Sequence, residues 1–220
     1  MKEFGFLFIL VLLAQGCRAT APAVSPPADP LRLKQAIDAT LADARHAIDA
    51  RGVTDAGLSE IGASLARLAK TPGLIDGTGM HPIHGSALMS QRTLASEGPD
   101  GINLYLSRFE RGAKTPVHDH STWGVVHVLE GRDRHVHWER VDDGAVPEHA
   151  NLRSVDERTV SAGQSVYWFP PPGDIHSQEA LDAVVWELVV TGCDLAHATD
   201  GDHRHWFDLN TGSVSHRPPK

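Results

Sequence analysis

Three histidines carry the chemistry most easily named from the chain alone. His118 and His120 flank one aspartate in the run Gly112-Ala-Lys-Thr-Pro-Val-His118-Asp-His120. On a β-strand, residues two apart share a face, so both imidazoles point to one place. A later run, Gly163-Gln-Ser-Val-Tyr-Trp-Phe-Pro-Pro-Pro-Gly173-Asp-Ile-His176, offers a third imidazole just after a Pro/Gly turn. Three neutral imidazoles would leave a divalent ion its full charge and an open coordination face. That charge favours a soft anion such as a thiolate, with a further position for dioxygen. The chain holds 14 histidines in 220 residues, so their number alone locates nothing and their spacing must decide.

The elements that would position these residues fall into two parts. Leu33, Ile37, Leu41, Ala44 and Ile48 form one apolar stripe at helical spacing, stopped by Arg51-Gly52. Leu58, Ile61, Leu65 and Leu68 form a second, capped by Thr54 or Asp55 and ended before Pro72-Gly73. Beyond about residue 85 the period changes to two: Ile102, Leu104 and Leu106 alternate with Asn103, Tyr105 and Ser107. Residues 123–129, 133–141, 164–169 and 183–190 also read as strands, with Gly131 and Asp143-Gly144 as hairpin signals. Short strands without intervening helices predict a mainly β sandwich or barrel behind two short α-helices.

Composition narrows the function classes. A net charge of −8 spread along the sequence argues against a nucleic-acid partner. Two cysteines exclude a disulfide scaffold and a cysteine-based zinc fold.

The pattern Gly112-x5-His118-x-His120, then Gly131, then Pro171-x-Gly173 and His176, resembles the two motifs of the cupin superfamily over roughly residues 85–210. The resemblance implies a double-stranded β-helix, a jelly-roll barrel, in which His118, His120 and His176 bind a metal. Most metal cupins add a glutamate ligand four residues after the second histidine, and here that residue is Gly124. A three-histidine site without a carboxylate is similar to the cysteine dioxygenase group, which includes the 3-mercaptopropionate dioxygenase-like bacterial proteins. Thr115-Pro116, Trp123-Gly124-Val125, Leu129-Glu130-Gly131, Asp174-Ile175-His176, the stretch Gly192 to Leu195 and Arg204-His205-Trp206 all look like that group. The likeness implies that Arg92, eleven residues before Asn103, clamps a substrate carboxylate, a task suited to a planar, bidentate guanidinium.

The group's Ser-x-His-x-Tyr relay is absent. Its three positions are Glu187, Val189 and Thr191, and the site of its cross-linking cysteine is Val125. Two residues are candidates to replace the relay in acid–base work: His127, placed towards the cavity by strand parity, and Glu187. His135 and His137 form a second His-x-His, without the leading and following glycines, and are expected on the outer face of a sheet. His81, His84, His203 and His205 are expected to play no part in the site, with His46 on the polar side of the first helix and His216 in the tail.

The N-terminus reads as an export signal. Residues 4–13 are apolar apart from Gly5, and Ala14-Gln15-Gly16-Cys17 resembles a bacterial lipoprotein cleavage box. The expected organisation is a signal segment over 1–17, a Pro/Ala-rich linker over 18–30, a helical part over 31–84, the cupin domain over 85–210 and a polar tail over 211–220. The protein is expected to be exported, either periplasmic or held to a bacterial membrane only through a lipid on Cys17. The leading functional expectation is an Fe(II) enzyme that adds O2 to a small thiol carboxylate to give a sulfinate. Imidazole also accepts Zn, Mn, Ni or Cu, so other metal chemistry and a non-catalytic ligand-binding cupin remain open.

Overall fold

The computed structural model describes residues 29–195 and 204–217. The readings of the signal segment, of Cys17 and of most of the linker lie outside the described residues. Helix α1 (Pro30–Arg51) starts where Asp29 accepts the Leu31 N–H at 3.0 Å, and it stops at Gly52, whose φ of 67° suits glycine. Helix α2 (Asp55–Leu68) is capped by Thr54, which accepts the Gly57 N–H at 3.2 Å. Among the described residues, neither helix is long and apolar enough to cross a membrane.

The helices cover one face of a six-stranded antiparallel sheet. Its order is β1 (His81–Pro82), β2 (Met89–Ser96), β3 (Asn103–Glu110), β10 (Val184–Thr191), β5 (Gly124–Glu130) and β8 (Ser165–Trp168). A second such sheet runs β12 (Val214–Ser215), β11 (Trp206–Phe207), β4 (Val117–His118), β9 (His176–Ala180), β6 (Arg132–Arg140) and β7 (Leu152–Ser161). Two facing antiparallel sheets of this kind make the expected jelly roll, with two helices in front.

Alternation along the first sheet builds two cores. Leu104, Leu106, Val125, Leu188 and Val190 are buried with Leu58, Ile61, Leu65 and Leu68 of α2. Tyr105, Phe109, Val126, Val128, Val166, Trp168, Val185 and Val189 are buried on the opposite face, inside the barrel. Each fully buried aliphatic side chain contributes about 1.5–3 kcal/mol by leaving water, and this fixes the strand faces. Gly62 lets α2 lie close to β8, since a Cβ there would stand 3.1 Å from Ser165 Oγ. Tyr167 ties the same layer by donating its hydroxyl to Asp55 at 2.8 Å.

Candidate metal centre

The three histidines meet inside the barrel. His118 ends β4, His176 begins β9, and the two are cross-strand partners. β4 stops at His118, so His120 reaches the cluster from the turn beyond it, where Ser121 has a φ of 54°. The His118 and His120 Nε2 atoms are 3.0 Å apart, and those of His120 and His176 are 3.3 Å apart. All three residues are buried, and their ligand atoms lie within 4.8 Å of one another.

Backbone carbonyls decide which nitrogen faces the centre. His118 Nδ1 donates to Pro116 O at 2.8 Å, and His176 Nδ1 donates to Asp174 O at 3.0 Å. Each bond leaves the Nε2 lone pair aimed inward, the arrangement that orients metal-bound histidines. His120 is held through its main chain, whose N–H reaches Asp174 Oδ2 at 3.0 Å, and by its ring, stacked on Trp168 at 5.2 Å. Burial, then Arg204 or the neighbouring histidines, pushes all three imidazoles well below their usual range, so they are neutral at pH 7. Two lone pairs pinned inward, converging with the Nε2 of His120, whose Nδ1 has no partner, fit a divalent metal ion.

Gly124 explains why no carboxylate joins the set. A Cβ at this position would lie 2.0 Å from Cζ2 of Trp168. The indole fills that space, donates Nε1–H to Thr122 O at 2.9 Å and supports His120. A glutamate at 124 would therefore displace the side chain that backs a ligand.

A cavity of about 360 Å3 opens onto His118 and His120. Its walls include Phe109, Val126, Trp168 and Val189, with Gln91, Thr93, Tyr105, Gln178, His84 and Arg204 as polar groups. A larger groove of about 1090 Å3 crosses the outer face of the second sheet. It shares Thr115 and Gln178 with the cavity but none of the histidines.

Arg92 does not reach this cavity. Its neighbours Gln91 and Thr93 line it, whereas Arg92 donates to Thr78 O at 2.8 Å and lies 4.0 Å from Asp76. The guanidinium in the cavity belongs to Arg204, which is 7% exposed and stacks 5.3 Å over Trp206. Its Nη1 is 3.4 Å from His84 Nε2, and its Nε is buried without a partner. Burial lowers Arg204 to about 10, so it remains a cation at pH 7, while burial and then Arg204 lower His84 to about 4 and keep it neutral. Among the described residues no carboxylate forms an ion pair with Arg204. The tail motif Arg204-His205-Trp206 was visible in the sequence, but its contact with Asp119, 86 residues before His205, was not.

The structure separates the two acid–base candidates from the cavity. His127 lies on the helix-facing side of β5, where its Nδ1 is 2.8 Å from Ser165 Oγ, and Val126 beside it lines the cavity instead. Glu187 points into the barrel but is fully buried, and its Oε2 accepts Gln178 Nε2–H at 3.2 Å. The same Nε2 donates to Asp133 Oδ2 at 3.2 Å. Burial, then the neighbouring carboxyl group, pushes Glu187 well up, and burial raises Asp133 to about 7. Glu187 is thus pushed towards its protonated form and separated from the cavity by Gln178.

Two further residues were not foreseen. Tyr105 sits opposite Val189, one of the three positions of the missing relay, and brings a phenol into the cavity from the next strand. Its hydroxyl donates to Asp194 at 3.0 Å and accepts the Leu195 N–H at 3.0 Å, and burial raises it so that it stays protonated. His135, expected on an outer face, is 1% exposed and packs 4.9 Å from the His176 ring inside the barrel. His137 follows it inward, while Arg134, Val136 and Trp138 take the outer face of β6.

Fold and site together define a jelly-roll barrel with a buried candidate three-histidine metal centre and a cationic residue in its cavity. The sequence matches no family model and no curated protein. Among solved structures the chain is similar to KdgF from Halomonas sp., at 14% identity and a TM-score of 0.39 over 52% of this chain and 86% of that one. It is similar to an oxalate oxidase at 16% identity and 0.38, covering 54% and 58% of the two chains. A third is the Schizosaccharomyces pombe Cnp3 cupin domain, at 12% and 0.39, covering 57% and 78%.

Proposed function

We propose that the protein is a metal-dependent, thiol-dioxygenase-like enzyme that adds O2 to a small thiol carboxylate and gives a sulfinate. Both oxygen atoms end on sulfur, so thiolate and O2 account for all atoms of the product. The observation that carries this reading is Arg204, a buried cation without an ion-paired carboxylate among the described residues, sharing one cavity with His118 and His120, two of the three clustered imidazoles. A buried charge needs a partner, and an anionic substrate supplies one.

His118, His120 and His176 would hold the metal, with Fe(II) the first choice and Zn, Mn, Ni or Cu also suited to imidazole. When bound, iron supplies the one-electron exchange with O2 that a thiolate lacks. Arg204 holds the carboxylate and directs the other end of the molecule towards the histidines. Phe109, Val126, Val189 and Trp168 exclude water around the reacting sulfur. The Tyr105 phenol keeps its proton and presents a fixed hydroxyl in the position range left by the relay.

A second reading, non-thiol chemistry at another metal, draws support from Glu187, Val189 and Thr191 in place of the relay. Export, with anchoring at Cys17, is part of the proposal and rests on the N-terminal pattern alone.

The test is oxygen uptake by iron-loaded protein with 3-mercaptopropionate, cysteine and mercaptoacetate, with the product read by mass. One O2 consumed per thiol and a product heavier by two oxygens is expected. Iron-loaded protein that consumes no oxygen with any thiol carboxylate overturns the reading in favour of a ligand-binding cupin or other chemistry.

A further inference from the structure

We propose that Asp119 and His205 form a latch that sets the position of Arg204. The side chain between two metal-binding histidines would then also fix the cation that binds the substrate's charge. The inference rests on Arg204 as the anion-binding group.

Three bonds join the pair. Asp119 Oδ1 accepts the His205 N–H at 2.6 Å, and Asp119 Oδ2 accepts His205 Nδ1–H at 2.7 Å. The Asp119 N–H returns a bond to His205 O at 3.1 Å. Arg204 is the next residue along the chain. Without the latch, its segment is paired to β4 only by Trp206 opposite His118 and Phe207 opposite Val117. The same two residues pair with β12 on their other side, at Ser215 and Val214, but both ladders begin at Trp206 and neither includes Arg204.

Among the described residues, the guanidinium's own contacts do not supply the missing hold. Trp206 offers a ring face and His84 a neutral nitrogen, and neither carries negative charge. Asp119 is the leading attractive charge acting on Arg204, at longer range. One buried aspartate therefore anchors the backbone beside Arg204 and partly balances its charge. Asp119 is a positioning residue on this account and touches no substrate.

The experiment uses full-length protein loaded with Co(II), titrated with 3-mercaptopropionate and with 1-propanethiol, which lacks the carboxylate. Sulfur-to-cobalt absorption gives a Kd for each, and their ratio measures carboxylate preference. Arg204→Ala should abolish the preference. Asp119→Ala should weaken 3-mercaptopropionate on the order of tenfold, the scale of one lost charge-assisted hydrogen bond, and leave propanethiol unchanged. Asp119→Asn, which can still accept from the His205 backbone, should restore part of it. The double variant should bind no more weakly than Arg204→Ala.

If Asp119→Ala keeps full preference while Arg204→Ala loses it, the latch is wrong and the reading of Arg204 stands. If Arg204→Ala keeps the preference, that reading fails and the latch fails with it. Should Asp119→Ala not retain cobalt, His205→Ala carries the same test, and an undiminished preference there overturns the latch.

Discussion

The barrel buries two groups of polar side chains and settles them in different ways. His118, His120 and His176 lie with their Nε2 atoms 3.0–3.3 Å apart in sequence around the cluster, two of them fixed by backbone carbonyls. Two residues further along β9 and β6 lie Gln178 and His135, with Asp133 two residues beyond His135, joined by Glu187 from the facing sheet. There both His135 ring nitrogens and Glu187 Oε1 have no partner. In the first group two pinned tautomers leave lone pairs for an ion, and His120 Nδ1 has no partner. In the second, burial pushes both carboxyl groups upward and they share one amide. Burial alone does not make a metal site, because convergence and pinned tautomers are also needed.

The sharpest way to break this contrast is to remove one member of each group. His176→Ala should lower Co(II) affinity by more than about 100-fold, beyond the loss typical when only a group that orients a ligand is removed, while His135→Ala should change it only slightly. Isothermal titration reads both, and equal losses would erase the distinction.

Gly124→Ala should come next. The added methyl overlaps Trp168, so unfolding in urea should show a loss of about 1–3 kcal/mol, as in overpacked cores. Weaker cobalt binding should accompany it through the His120 stack, and unchanged stability would mean that Trp168 does not occupy that space.

The carboxyl pair predicts a pH signature. Asp133 is raised to about 7 in the fold from 3.8, so between these values the folded state binds more protons than the unfolded chain. Its contribution to stability is present below about 4 and is lost as pH rises through about 7. Asp133→Asn should flatten that decline, as read from urea midpoints across pH 4–8, whereas a slope identical to wild type would place the proton elsewhere.

The smallest effect is expected at His135. Replacing a buried imidazole that has no partners by leucine, of similar volume, should change stability by less than about 1 kcal/mol. A large loss would show that His135 has a partner such as a buried water.

Much of this was legible in the chain. The helical stripes and the alternation around Leu104 and Leu106 depend on local periods, and the elements fall where those periods put them. His118, His120 and His176 could be singled out because spacing and turn chemistry are local properties. The faces of individual strands were harder to read. In β6, His135 and His137 alternate with Arg134, Val136 and Trp138, and sequence does not say which set is inside. In β2 an irregularity lies between Thr93 and Ala95, and a one-residue change of parity decides whether Arg92 or Gln91 faces inward. β7 is polar and largely exposed, so no apolar alternation marked it. Arg204 depends on a two-residue strand and on Asp119, a contact between distant parts of the chain that no local pattern encodes.

The most direct measurement is anomalous diffraction at the metal edge from crystals of iron-loaded protein. The account predicts one peak among the Nε2 atoms of His118, His120 and His176, open to the cavity that contains Arg204. A peak at His135 and His137, or no ordered metal in protein that retains iron in solution, would contradict it.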